Sequence, residues 1–244
     1  MISKHESFTW PETPDQKLWR YMDLAKFLSA LQTESFWLTR SDMLGDPFEG
    51  SIPRATVEEE ARTLREHGID IAAAGIAEGR RWFLTQVHVS CWHLSDHESA
   101  AMWRLYSQAN EAICVQSTFD RIARNLPSSM YAGLVSYIDY ETGVIPTDNL
   151  FYAFTHKRKS FEHERELRFI AWTQLAAELG GDELRKWSTD AGIAWPLRPS
   201  DYIEAVYISP LAPPWFTAVV QRIVADAGLD IPVRQSALNQ KPLY

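Results

Sequence analysis

The 244-residue chain carries 24 Lys and Arg against 32 Asp and Glu, a net charge of −8, with 45% hydrophobic and 12% aromatic residues. That composition suits one domain over 1–244 with a sizeable core, and the acidic balance excludes an extended nucleic-acid or anionic-membrane surface. Apolar runs of a few residues are too short to span a bilayer and the first residues lack a signal-peptide apolar stretch, so a cytoplasmic location is expected. Cys91 and Cys114 sit in strand-like segments and are expected as free thiols.

In chain order, Leu18 to Met22 reads as a short aromatic strand. Asp23 is placed to cap a helix through Leu24, Phe27, Leu28 and Leu31, and Phe36 to Leu38 reads as the returning strand. Gly45-Asp46-Pro47-Phe48-Glu49-Gly50 is turn chemistry, because proline restricts the backbone and glycine frees it. A two-helix insertion is expected over 55–82, turning at His67-Gly68.

Alternation from Gln86 to His93 predicts a strand with Val87, Val89 and Cys91 on one face and His88, Ser90 and Trp92 on the other. Ser95 or Asp96 is expected to cap the next helix, which carries Met102, Trp103 and Tyr106. Strands follow at 112–117, 133–140, 166–172, 203–209 and 231–234, with helices at 119–125, 175–187 and 215–227. The predicted class is α+β, a single domain with a mixed, mostly antiparallel twisted sheet flanked by helices.

The richest chemistry lies at 156–168, His-Lys-Arg-Lys-Ser-Phe-Glu-His-Glu-Arg-Glu-Leu-Arg, where eight of thirteen residues are charged and the chain then enters Phe169-Ile170-Ala171-Trp172. Charges carried into a core must pair with one another or await a ligand. A strand starting near Glu164 would put Glu164, Glu166 and Arg168 on one face. Paired carboxylates raise the proton affinity of one partner, which suits a general base or a ribose-hydroxyl acceptor, with Lys157, Arg158 and Arg168 as the available cations. The same pattern equally describes a structural ionic lattice. Ser90, Trp92, Trp103 and Tyr106 gather hydroxyls and flat rings suited to stacking a base. No metal-ligand spacing, dinucleotide fingerprint, phosphate loop or nucleophile elbow occurs.

Four segments together resemble a bacterial family, domain of unknown function 2971. They are Leu18 to Met22; Phe36 to Arg40 with Gly45 to Gly50; Ser90 to His93 with Glu98-Ser99 and Ala101 to Tyr106; and Lys157-Arg158 with Phe161 to Arg168. The resemblance covers about 18–172. The order of an early strand bearing Arg20 and a late strand bearing a Glu-x-Glu pair is also similar to the ADP-ribosyltransferase superfamily. That likeness implies Glu166 as the catalytic carboxylate, Glu164 as its helper, and NAD as a substrate. It further implies Arg20 at the dinucleotide and Ser90 or Trp92 on the middle strand; beside these, Lys157 and Arg168 are expected as further anion binders, and Trp92 or Tyr106 as the surface on which the nucleotide stacks. The chain differs from the superfamily in lacking Ser-Thr-Ser on the middle strand, and Glu162-His163-Glu164 offers a rival pair.

Three functions follow as expectations: a nucleotide- or NAD-handling enzyme of the toxin or defence-effector kind, a non-catalytic binding or regulatory module whose lattice is structural, and a metal-dependent nuclease built on Asp46, Glu49, Glu164 and Glu166. The sequence leaves cofactor and oligomeric state open.

Overall fold

A computed structural model describes residues 1–68, 73–106, 110–174, 183–240, 242 and 244. The expected α+β class holds: nine strands form a mixed, mostly antiparallel sheet with helices against it. Among the described residues no helix is long and apolar enough to cross a membrane, and both cysteines are free thiols.

Strand β1 (Lys17–Asp23) leads directly into α1 (Leu24–Thr33), where the Asp23 carboxylate accepts from Lys26 N at 2.7 Å as its N-cap. Glu34, in the left-handed region at φ 46°, ends the helix and turns the chain into β2 (Ser35–Arg40). Helices α2 (Arg54–Glu66) and α3 (Ala73–Gln86) occupy the expected insertion and buttress the sheet, since Phe83 is buried against Phe154 and Trp172. Strand β3 (Val87–Leu94) then runs through the middle of the sheet.

Helix α4 (Ala100–Tyr106) starts later than the sequence suggests. Ser99 Oγ accepts from Met102 N at 3.3 Å, while Ser95 Oγ is used by His97 N in a separate turn. Strands β4 (Ala112–Thr118) and β5 (Met130–Leu134) follow, separated by α5 (Phe119–Ala123). A small parallel pair, β6 (Ser136–Ile138) and β7 (His156–Arg158), precedes a 3₁₀ turn at Lys159–Glu164 and strand β8 (Glu166–Trp172). Of the helix expected at 175–187, residues 175–182 lie outside the described residues and Glu183–Lys186 is helical. The remaining strands are β9 (Gly192–Pro196), β10 (Ala205–Ile208) and β11 (Val233–Gln235), with the amphipathic helix Pro214–Asp226 before β11.

The feature that positions the site is a fork. β3 pairs along one edge with β8 from Val87↔Trp172 to His93↔Glu166. Its other edge is shared: β1 meets it only at Leu18↔Leu94 and Trp19↔His93, and β2 only at Thr39↔Val89 and Arg40↔His88. Beyond those contacts β1 turns away to pair fully with β4, and β2 turns away to pair with β9. The sheet therefore splits into two wings opposite Ser90, Cys91 and Trp92, with α1 linking the strand ends farthest from β3. Accumulated strand twist makes such splaying natural in a large sheet.

Packing follows the period-2 alternation. Leu18, Trp92, Leu167 and Phe169 join the main core on one face. Phe8, Val87, Val89 and Ile170 form a second core on the other face, and Trp19, Tyr21, Met102 and Trp103 a third under α4.

Candidate functional site

A cavity of about 660 Å³ occupies the fork. Its wall includes Arg20, Phe27, Trp37, Tyr106 and Glu166, and Met43, Leu44 and Gly45 form part of the rim. That volume accommodates a small organic ligand.

Arg20 projects into the gap from β1. Nη1 donates to Ser90 Oγ at 2.8 Å and to Trp37 O at 3.2 Å, and the guanidinium lies 5.8 Å from the Trp92 ring centroid. Among the described residues it forms no ion pair, and burial, opposed by Tyr202 and Cys91, holds its pKa below the usual arginine range. A desolvated cation facing a cavity without a counter-ion is set to receive an anion. Ser90 itself is fully buried, accepts also from Trp92 Nε1 at 3.1 Å, and orients Arg20 from behind the wall.

Trp92 was expected as a stacking surface. Its ring is instead 1% exposed, stacked on Phe36 at 6.1 Å with Arg20 over it, so it forms part of the cavity floor. Trp37 and Tyr106 present the more accessible rings along the wall. Trp103 is core, with its Nε1 donating to Glu98 at 3.1 Å.

On the other side of the cavity lies the charged segment. Arg165 adopts φ 42°, which breaks the strand alternation before Glu166. Glu164 therefore belongs to the 3₁₀ turn rather than to β8 and reaches the cluster from there. Glu166 and Arg168 do share one face of β8, as expected.

Lys157 and Arg168, expected as anion binders, are consumed by carboxylates because both are nearly sealed from water. Lys157 Nζ donates to Glu164 and, at 3.1 Å, to Glu166 Oε1. Arg168 Nε donates to Glu166 Oε2 at 2.6 Å, and its two terminal nitrogens grip Glu49 at 2.5 and 3.0 Å. Phe154 O takes a further Arg168 hydrogen bond at 2.9 Å. Tyr106 Oη donates to Glu164 Oε1 at 2.9 Å, His93 Nδ1 lies 2.7 Å from Glu164 O, and Tyr137 Oη accepts from Glu166 N at 2.8 Å.

The electrostatics separate the two glutamates. Burial alone would push Glu166 up, but Arg168 and Lys157 outweigh it and bring its pKa down to about 2. Burial, reinforced by the neighbouring Glu166 charge, pushes Glu164 up despite Lys157. Burial pulls Lys157 down, yet Glu166 and Glu164 leave it raised overall, and Arg168 is raised well above the guanidinium range by Glu166 and Glu49 against its own burial. One carboxylate is fixed as an anion beside one that holds its proton more tightly.

Glu49, expected in the turn and as one of the carboxylates of the metal-dependent reading, is the far anchor of the network. Its only local sequence signal is the Asp46-Pro47 turn before it and Gly50 after it, where φ is +64° and a Cβ would meet Leu84 at 2.3 Å and Phe154 at 3.0 Å. Asp46 is likewise paired, with Arg158 at 2.7 Å. The carboxylates of the expected metal site thus hold guanidinium and ammonium groups, and among the described residues no group of three or more His, Cys, Asp or Glu is arranged to hold a metal ion.

No protein-family model, curated protein or solved structure matches the chain.

Proposed function

We propose that the cavity in the fork binds a nucleotide and that the chain handles it as an ADP-ribosyltransferase-like enzyme, with NAD as substrate. The observation that carries this reading is the Arg20 guanidinium, which has no carboxylate partner among the described residues, in the same cavity as Glu166. Arg20 would hold a phosphate as a charge-assisted pair. Glu166, kept ionised by Arg168 and Lys157, retains lone pairs on both oxygens. It can accept from a ribose hydroxyl and stabilise the positive charge that develops on ribose as a glycosidic bond breaks. Trp37 and Tyr106 supply flat surface for a base.

Lys157 and Arg168 act in this reading by fixing the Glu166 charge and rotamer rather than by touching the ligand. Glu164 stands one step back, behind Tyr106.

A second reading has its own support: Glu49, Arg168, Glu166, Lys157 and Glu164 form a continuous, nearly dry ionic lattice. In that case the chain is a binding module with a structural lattice, and Glu166 has no chemical role.

Titrating NAD and ADP-ribose into the full chain tests the proposal. It predicts saturable binding to the wild type, loss of binding in Arg20→Met, and release of nicotinamide from NAD that Glu166→Gln abolishes. Binding without nicotinamide release would favour the second reading, and no binding of either compound would overturn the nucleotide reading.

A further inference from the structure

The lattice is unbalanced. Among the described residues, three carboxylates, Glu49, Glu164 and Glu166, face two cations, Lys157 and Arg168, so the buried cluster carries one negative charge in excess unless one carboxyl keeps a proton. Glu49 is gripped bidentately and both Glu166 oxygens touch cations. Glu164 alone has an oxygen, Oε1, whose partner is neutral, and that partner is the hydroxyl of Tyr106. Tyr106 is 43% exposed and lines the cavity, whereas Glu164 is 5% exposed and does not line it.

A tyrosine hydroxyl has one proton to give. With Glu164 ionised, that proton is directed at Glu164, and only the oxygen lone pairs of Tyr106 remain for a ligand. Glu164 also stands within hydrogen-bond reach of the Glu166 carboxylate; a proton taken from solvent on Oε1 makes Glu164 the donor to Tyr106 and releases the Tyr106 proton toward the cavity, whereas a proton donated to Glu166 leaves Tyr106 as it was.

We propose that Tyr106 selects the polar group of the ligand on this side of the cavity, and that Glu164 sets its polarity: a protonated Glu164 turns Tyr106 into a donor for a phosphoryl or carbonyl oxygen. An acceptor ligand adds electron density beside an already acidic cluster, which raises the proton affinity of Glu164, so proton uptake accompanies its binding. The inference rests on the reading of this cavity as the nucleotide site.

The groups facing Glu164 are Lys157 from β7, Glu166 from β8, Tyr106 from α4 and, at its backbone carbonyl, His93 from β3. Tyr137 from β6 reaches the cluster at Glu166 N. Burial and the Glu166 charge raise the proton affinity of Glu164 in agreement with the charge count.

Infrared difference spectra of the full chain between about pH 4 and about pH 9, a range that brackets ordinary carboxyl and histidine titration, test this without ligand. The expected result is a protonated-carboxyl band that is absent in Glu164→Gln and shifted in frequency in Tyr106→Phe, a change at a part-exposed residue that leaves the core intact. A band that Tyr106→Phe leaves unmoved, or no band assignable to Glu164, would overturn the proposal. With NAD, the band should grow at constant pH, and wild-type affinity should fall up to about tenfold per pH unit above its midpoint while Glu164→Gln stays flat. A band that responds to Tyr106→Phe but ignores NAD would remove the nucleotide reading and leave the Tyr106–Glu164 coupling intact.

Discussion

Arg20 and Glu166 stand on opposite faces of the sheet yet line one cavity. The register makes the first half plain: Glu166 lies opposite His93, and His93 opposite Trp19, so Arg20, one residue on, points the other way. Only the gap between the β1 and β2 wings lets one cavity reach both residues. A cation and a carboxylate that would neutralise each other in direct contact thus line one cavity without an ion pair between them, the arrangement on which the proposed nucleotide site rests.

Arg20→Met should separate binding from stability. The wild-type guanidinium is desolvated without a counter-ion, so its loss removes two hydrogen bonds to neutral acceptors and also an unfavourable burial. The expected change in unfolding free energy is within about 1 kcal/mol of zero, measured by urea denaturation, with nucleotide binding lost.

Glu166→Gln should behave differently. Arg168 and Lys157 lose the charge that each shares, deep in the structure, and breaking a buried ion pair from one side costs roughly 3 kcal/mol. The variant should fold with a lowered denaturation midpoint. A variant as stable as the wild type would show that the lattice is not bound together through Glu166.

Gly50→Ala should destabilise by about 1–3 kcal/mol, because φ is +64° and the new Cβ would press on Leu84 and Phe154 beside the carbonyl that holds Arg168. Thermal unfolding would report it. Loss of stability together with a weakened Glu49–Arg168 contact, seen in a variant structure, is the expected pairing.

Stability should fall on acidification in two windows. Burial lowers the pKa of His88 to about 4, so the unfolded chain binds more protons than the folded one as pH falls from about 6.5 to about 4, which removes roughly 3 kcal/mol. His88→Gln should flatten that slope. Glu166, lowered against its burial by Arg168 and Lys157, contributes stability above about pH 4.5 that is lost as pH falls toward about 2. Glu164, raised by burial and Glu166, has the opposite sign: its contribution declines as pH rises through its elevated value. Urea titrations across pH on the wild type and each variant measure these slopes.

Much of the fold was legible because its signals are local. Asp23 caps α1 as its position before the helical run implies, and the Val87 to His93 alternation gives the observed faces of β3. Glu164 leaves the strand because Arg165, whose positive φ no pattern of side chains announces, interrupts the alternation. The Glu49–Arg168 pair joins residues 119 apart in sequence, and nothing near either one encodes the other. The cavity itself was illegible for the same reason: it depends on where β1 and β2 leave β3, a property of the assembled sheet.

The most direct measurement is calorimetric titration of NAD into the wild-type chain and into Arg20→Met at low and raised salt. Saturable wild-type binding that weakens with salt and disappears in Arg20→Met is the predicted result. Equal binding by both proteins, or by neither, would contradict the assignment of the fork cavity as a nucleotide site.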